Sequence, residues 1–312
     1  MRGSTVYQVQ QVFHTVNEIG SSKHDAKAEA RAEGAATWHQ VGKELGVYSF
    51  STADAYRDVW RACLDHAKET VGVRDIEKLS GEAVRAFLVS KVDQGVAHAT
   101  FGQYAAALEK LEVALNRYAE QHGTGRLYAF SGEIQGARDV AVNLERFEGS
   151  RAYADPDRLV AAVEREPHNL AAALQREGGA RISEINHVTK EQLQGLREDP
   201  RTGELKGWVE VEGKGGKERE IGVSPATYAR LEAAVGGGQR FEFDKDAYRA
   251  GLKAAAAKTG QEYEGSHGLR WSWAQERHAE LQETGMTYEQ SLTQVSQDMG
   301  HERGDITEHY LR

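Results

Sequence analysis

A change of hydrophobic period partway along the chain limits what it can fold into more than any other feature. Between residues 35 and 122 apolar residues recur at helical spacing in four stretches, 35–45, 52–71, 80–94 and 98–121, punctuated by Gly46, Gly72 and Gly95. Beyond residue 150 two helical stretches, 155–165 and 168–178, give way to short β-like runs at 193–197, 207–212 and 218–223. The last two flank Gly213-Lys214-Gly215-Gly216-Lys217, a turn suited to a hairpin. Helices are expected again at 225–235, 245–258, 268–284 and 288–299, with a short one ending at Tyr310. The fold class expected is mainly α with a small antiparallel β-sheet in the C-terminal domain.

The 312 residues suit two domains on a prior of roughly 150 residues each. The boundaries expected are a helical N-terminal extension over 1–33, an all-α unit over 34–122, a linker over 123–150 carrying five glycines, and a second domain over 151–312. Ser51 and Thr52 are candidate caps of the second helix of the α unit, and Ser80 of the third. No apolar run approaches the roughly 18 residues of a membrane span, and no signal peptide is evident, so no membrane is expected and the cytoplasm is the expected location. The lone Cys63 excludes an internal disulfide or a cysteine metal cluster.

The formal charge is −9, and neither half is basic: residues before 151 carry 17 basic against 20 acidic groups, and the rest carry 22 against 28. Taken alone this argues against nucleic acid, so any anion-binding surface must be a local cluster.

Five short signals supply such a cluster in fixed order. They are Ala180-Arg181-Ile182-Ser183-Glu184-Ile185, Gly213 to Arg219, His267-Gly268-Leu269-Arg270, Gly300-His301, and Thr307-Glu308-His309-Tyr310. Each has an ordinary explanation. Arg181 and Glu184 could be a surface ion pair, Lys214 a solvated hairpin tip, His267 and Arg270 helix-opening residues, His301 a capping or core histidine, and Tyr310 a packing anchor. In combination they match another chemistry. Two guanidinium forks fit the oxygens of a phosphodiester, a lysine on a hairpin can protonate a departing oxygen, and two histidines can take a phenol proton and bond the phosphate. A tyrosine with a reference pKa of about 10 attacks only beside such cations and a base. A zinc or two-metal reading lacks its H-E-x-x-H or equivalent. His278 and His309, outside these positions, read as surface or DNA-proximal residues.

In these motifs the sequence resembles the tyrosine recombinases, the family of phage and mobile-element integrases and chromosome-dimer resolvases. Gly179-Ala180-Arg181-Ile182-Ser183-Glu184-Ile185 is similar to the family's G-L-R-x-S-E-L, Gly213 to Arg219 to its G-K-G-x-K-x-R, His267 to Arg270 to its H-x-L-R, and Met299-Gly300-His301 to its L-G-H. More weakly, Ala99-Thr100-Phe101-Gly102-Gln103-Tyr104 resembles the start of the last helix of the family's core-binding domain.

The resemblance implies that 34–122 is an α-helical core-binding domain closing on DNA with an α+β catalytic domain at 151–312. It implies that Arg181, Lys214, His267, Arg270 and His301 are catalytic, that Tyr310 is the nucleophile, and that Glu184 supports Arg181. Lys217, Arg219, Thr100 and Gln103 become expected DNA contacts. The implied activity is site-specific recombination, in which Tyr310 attacks the scissile phosphate to leave a 3′-phosphotyrosyl link and a free 5′-hydroxyl, with no metal or nucleotide cofactor. Implied partners are duplex DNA with a specific core site and accessory DNA-bending proteins, with the protein a monomer in solution, a tetramer on DNA, and associated with the nucleoid. A catalytically silent DNA-binding regulator and a type IB topoisomerase-like relaxing enzyme are the alternatives.

The sequence departs from the family pattern in four places. Trp271-Ser272-Trp273 follows the second arginine, a change expected to affect packing more than chemistry. Met299 replaces a leucine, only Leu311 and Arg312 follow Tyr310 so that assembly would use other surfaces, and the charge balance is acidic.

Overall fold

The computed structural model describes residues 1–213, 216–301 and 304–311, and the chain divides into two compact units, 1–147 and 148–312. The first unit contains helices α1 (Thr5–Phe13), α2 (Lys23–Ala32), α3 (Trp38–Glu44), α4 (Phe50–Val71), α5 (Gly81–Asp93), α6 (His98–Gln121) and α7 (Ser131–Val140). Their apolar stripes meet in one core holding Phe13, Trp60, Leu64, Phe87, Phe101, Leu108 and Leu111. Trp60, the largest of these, has its indole N–H satisfied by the Ala107 carbonyl at 2.7 Å. α5 is capped by Ser80 as expected, its hydroxyl accepting from the Ala83 N–H at 3.3 Å. α4 starts earlier than expected: Ser49, in extended conformation, accepts from the Thr52 N–H and is the cap in place of Ser51 or Thr52.

Two expected boundaries differ from the structure. The N-terminal stretch is partly core, because Val9, Val12 and Phe13 of α1 and the following Val16 are buried in the same cluster. The glycine-bearing stretch 123–150 contains α7, whose Ile134 and Ala137 are buried. Side chains of α6 fix its path. Asn116 exchanges two 2.9 Å hydrogen bonds with the backbone of Tyr128, and the Glu112 carboxylate accepts from the Phe130 N–H and the Ser131 hydroxyl. Backbone groups that a solvated linker would give to water are therefore paired inside the unit.

The second unit contains α8 (Pro156–Ala161), α9 (Glu166–Gly178), strands β1 (Leu193–Glu198), β2 (Leu205–Glu212) and β3 (Glu218–Val223), then α10 (Pro225–Ala234), α11 (Lys245–Thr259), α12 (Gly265–Glu283), α13 (Tyr288–Asp298) and α14 (Gly304–Glu308). The strands form an antiparallel sheet in the order β1-β2-β3, with Val209 opposite Ile221 and Val211 opposite Arg219. Alternation puts Val209, Val211, Ile221 and Val223 on the buried face, against a core that includes Leu170, Leu174, Leu231, Tyr248 and Leu269. Residues 193–197, 207–212 and 218–223 thus lie in strands, as expected.

Two glycines are required where α9 and α12 meet their neighbours. Gly179 ends α9 in the left-handed region at φ 59°, and a Cβ there would overlap the Trp273 ring. At Gly268 a Cβ would lie 2.7 Å from the Arg151 carbonyl, so the chain crosses α12 where a side chain is missing. Gly179→Ala is expected to destabilise the protein by about 2–4 kcal/mol, combining a left-handed non-glycine residue with a displaced indole. The urea unfolding midpoint measures this.

Candidate active site

The left-handed turn at Gly179 reverses the chain so that Arg181 enters a tight turn, closed by Glu184 N–H to the Arg181 carbonyl at 2.9 Å. The Glu184 carboxylate folds back on this turn. It accepts from the Arg181 N–H at 2.7 Å and from the Arg181 guanidinium, and from Arg219 Nη2 at 2.8 Å, while Arg270 Nη1 lies 3.9 Å away. Three arginines thus surround one buried carboxylate. Burial alone would push the Glu184 carboxyl up, but Arg219 and the Arg181 N–H hold it below its ordinary value, so it stays ionised. Three cations against one anion leave two net positive charges in a chain whose total is −9.

The arginines differ in access. Arg181 is 28% exposed, Arg219 10% and Arg270 0%. Arg270 spans α12 and its neighbours, donating to the Gly179 carbonyl through Nη1 and to the Met299 carbonyl through Nη2 at 2.7 Å, with Nη2 also 3.4 Å from His301 Nε2. Its Nε is buried without a partner among the described residues. Burial first, then Arg181 and Arg219, push it down to about 9, which leaves it protonated at neutral pH. A cavity of about 280 Å³ opens beside the cluster, lined by Arg181, Glu184, Gly213, Lys217, Glu218, Arg219, Gln297, Gly300 and His301.

Tyr310 packs against the same site from the chain's C-terminal turn. It is 7% exposed, its ring centroid lies 5.1 Å from that of Trp271, and its hydroxyl is 2.9 Å from His267 Nε2. His301 faces it too, with ring centroids 5.7 Å apart, and its Nδ1 is 3.0 Å from the Thr307 hydroxyl. Burial, then Arg270 and Arg181, push both His267 and His301 down to about 4, so both rings are neutral at pH 7. A neutral His267 can accept the phenol proton at Nε2. A neutral His301 satisfies both its contacts with the proton on Nδ1, donating to Thr307 and accepting from Arg270, a tautomer assigned from its partners.

This depression has a consequence for stability. Unfolded histidine titrates near 6.5, so between about pH 6.5 and 4 the unfolded chain binds protons that folded His267 and His301 do not. Stability is expected to fall as pH falls through that window. The drop in urea midpoint from pH 7 to pH 5 should be smaller in His267→Gln than in the unaltered protein.

Of the residues singled out from sequence, Arg181, Glu184, Arg219, His267, Arg270, His301 and Tyr310 come together. Lys214 lies outside the described residues. Lys217 is exposed beside the cavity. Thr100 and Gln103 belong to the first unit, exposed on the opening turns of α6, where they line a groove of about 500 Å³ with Ser51, Thr52, Tyr56 and Val59. His309 is exposed as expected, but His278 is not a surface residue: it is 7% exposed and packs edge-on against Tyr288.

Sequence reasoning missed three contributors. Trp271 packs on Tyr310, Gln275 Nε2 donates to the Tyr310 carbonyl at 3.0 Å, and Thr307, fully buried, holds His301. Trp271 and Gln275 follow His267 at intervals of four, and that stripe on α12 was the available signal. The Trp271 departure from the family pattern is therefore a wall of the tyrosine's pocket.

No protein-family model matches the chain and no curated protein matches it in sequence. Solved structures do. The XerH site-specific recombinase bound to difH substrate is 14% identical, with 99% of this chain and 92% of that chain covered at a TM-score of 0.61. The Tn1549 transposon integrase in complex with transposon right end DNA is 12% identical, with 94% and 95% covered at a TM-score of 0.57. The chain has the tyrosine-recombinase fold.

Proposed function

We propose that the protein is a site-specific DNA recombinase that cuts and rejoins strands through a 3′-phosphotyrosyl link to Tyr310, serving the integration or excision of a mobile element. The observation that carries this reading is the 2.9 Å contact between the Tyr310 hydroxyl and His267 Nε2, made beside three arginines in a fold shared with recombinases solved on DNA. A phenol and a neutral imidazole acceptor next to a local excess of positive charge are what attack on a phosphodiester requires.

In this mechanism the scissile phosphate enters through the exposed edge of Arg181 and meets the charge of Arg270 behind it. Its negative charge offsets the cations that depress His267 and His301, so binding substrate raises the basicity of both rings. His267 takes the phenol proton as the Tyr310 oxygen bonds to phosphorus, and His301, once protonated at Nε2 in the field of the bound phosphate, can donate a hydrogen bond to one of its oxygens. The bond from phosphorus to the 5′-oxygen breaks, and that oxygen leaves as a hydroxyl; Lys214 is the residue assigned to protonate it, by the family resemblance. Attack of a 5′-hydroxyl from a partner duplex reverses the step and restores the phenol. The phosphoryl bond is kept in the protein–DNA link, so no metal or nucleotide is needed.

The same reading makes 34–122 and 151–312 the two arms of a DNA clamp, with Thr100, Gln103 and Lys217 as DNA contacts. It makes the protein a monomer that assembles as a tetramer on its site with accessory bending proteins, in the cytoplasm on the nucleoid.

The test is covalent capture. The protein is incubated in EDTA with a library of randomised duplexes, each carrying one nick, and denatured in SDS, and protein-linked DNA is recovered and sequenced. Recovery of linked DNA enriched in one core sequence is expected. Capture that requires added divalent metal, or no capture, would overturn the reading. Relaxation of supercoiled DNA by single protomers without strand exchange would favour the topoisomerase alternative.

A further inference from the structure

The G-K-G-x-K-x-R resemblance makes Arg219 a DNA contact, but its surroundings in the folded protein are of another kind. Strand alternation puts Arg219 on the same face of β3 as Ile221 and Val223, which are buried. Its guanidinium is divided between two protein partners: Nη2 donates to Glu184 at 2.8 Å and Nη1 to the Asp298 carbonyl at the end of α13 at 2.5 Å. Its Nε is buried. The turn carrying His301 rests on it as well. Gly300 is left-handed at φ 70°, and a Cβ there would come 3.1 Å from Arg219 Cδ.

We propose that Arg219 is a positioning residue of the active site, which sets Arg181 through Glu184 and sets His301 through the end of α13. This rests on the recombinase reading and adds a residue to it.

The arrangement answers an electrostatic problem. A lone Glu184 facing Arg181 and Arg270 would neutralise half of the charge that the phosphate needs. Arg219 cancels that carboxylate, so the two arginines keep their net charge while Glu184 still orients Arg181. The attachment is also continuous with rigid structure. Asp298, whose carbonyl Arg219 holds, gives its carboxylate to Arg277 Nε at 3.2 Å, and Arg277 Nη2 is 2.9 Å from the buried Asp199. β3, α12 and α13 are thus tied beneath the site by one set of charged groups.

Arg219→Gln and Arg219→Lys, each checked by circular dichroism, separate positioning from DNA contact on the duplex recovered by covalent capture with the unaltered protein. Arg219→Gln is expected to bind that duplex within about twofold of the unaltered protein with the same salt dependence, since no phosphate contact is lost. It is expected to form the covalent link about 100-fold more slowly, the scale of a displaced catalytic group. Arg219→Lys should recover about tenfold of that loss, because lysine keeps the charge on Glu184 but cannot also reach the Asp298 carbonyl. Glu184→Gln combined with Arg219→Gln should be no slower than the slower single variant, because the two act as a unit.

Weaker binding with a salt slope reduced by about one, and normal cleavage of bound DNA, would make Arg219 a phosphate contact. Unchanged binding and cleavage would also refute positioning. A measurement without DNA keeps the two readings separable. The His301 ring, followed by NMR of the free protein, should titrate at higher pH in Arg219→Lys than in the unaltered protein: the lysine keeps the neighbouring positive charge, so a rise reports a shifted His301 turn and not a lost charge, whereas Arg219→Gln would raise it by loss of charge alone. An unmoved His301 titration in Arg219→Lys sinks the positioning role even if DNA capture fails for every form of the protein, a failure that would itself count against the recombinase reading.

Discussion

Tyr310→Phe is expected to reduce covalent capture of DNA by at least about 10⁴-fold, the scale seen when a nucleophile that works with its base is removed. Binding and folding should hardly change. The ring is 7% exposed and packed against Trp271, so phenylalanine occupies the same space. The hydroxyl's recorded partner is His267, and one neutral hydrogen bond contributes only about 0.5–1.5 kcal/mol. The magnitudes are far apart: the substitution deletes the attacking atom and leaves the surface that meets DNA. Gel shift on the captured duplex reads binding, and SDS-resistant complex reads chemistry. Capture by Tyr310→Phe at more than a few per cent of the normal rate would mean that another group attacks.

The second large effect belongs to Arg270, where activity and stability should part. Arg270→Met fills much of the same volume and removes a fully buried cation repelled by Arg181 and Arg219. It also leaves the carbonyls of Gly179 and Met299 without a donor. Each unsatisfied carbonyl costs about 1–3 kcal/mol. Replacing buried charge with a well-packed apolar group is often neutral or favourable by about 1–4 kcal/mol. The two nearly offset, so the change in unfolding free energy should stay within about 2 kcal/mol. Covalent capture should fall by about 10³-fold or more, because a fixed charge facing the phosphate is lost. A variant that folds like the unaltered protein and captures DNA at a comparable rate would remove Arg270 from the chemistry.

Much of this cluster was legible because the chemistry proposed for it fixes residue types at fixed local spacings. The H-x-L-R run puts His267 and Arg270 one turn apart on α12, and the antiparallel pairing of β2 with β3 is announced by the glycines of the sequence between them. Helix ends were readable to within a few residues wherever a capping hydroxyl stood, as at Ser80. What escaped depends on tertiary partners. α7 lies in a glycine-bearing stretch that reads as linker, and it is fixed by Glu112 and Asn116 of another helix, pairings that no local pattern announces. The inward setting of Arg219 escaped for the opposite reason. Its inward register follows from counting along β3 to Ile221 and Val223, but a charged residue next to a glycine-rich turn invites assignment to the surface.

The most direct measurement is the site and polarity of the covalent link. DNA captured by the unaltered protein is digested with nuclease and the protein with trypsin, and the modified peptide is sequenced by mass spectrometry. A nucleotide joined through its 3′-phosphate to Tyr310, in the peptide spanning residues 304–312, is the expected result. A nucleotide on any other side chain, or one joined through a 5′-phosphate, would contradict it.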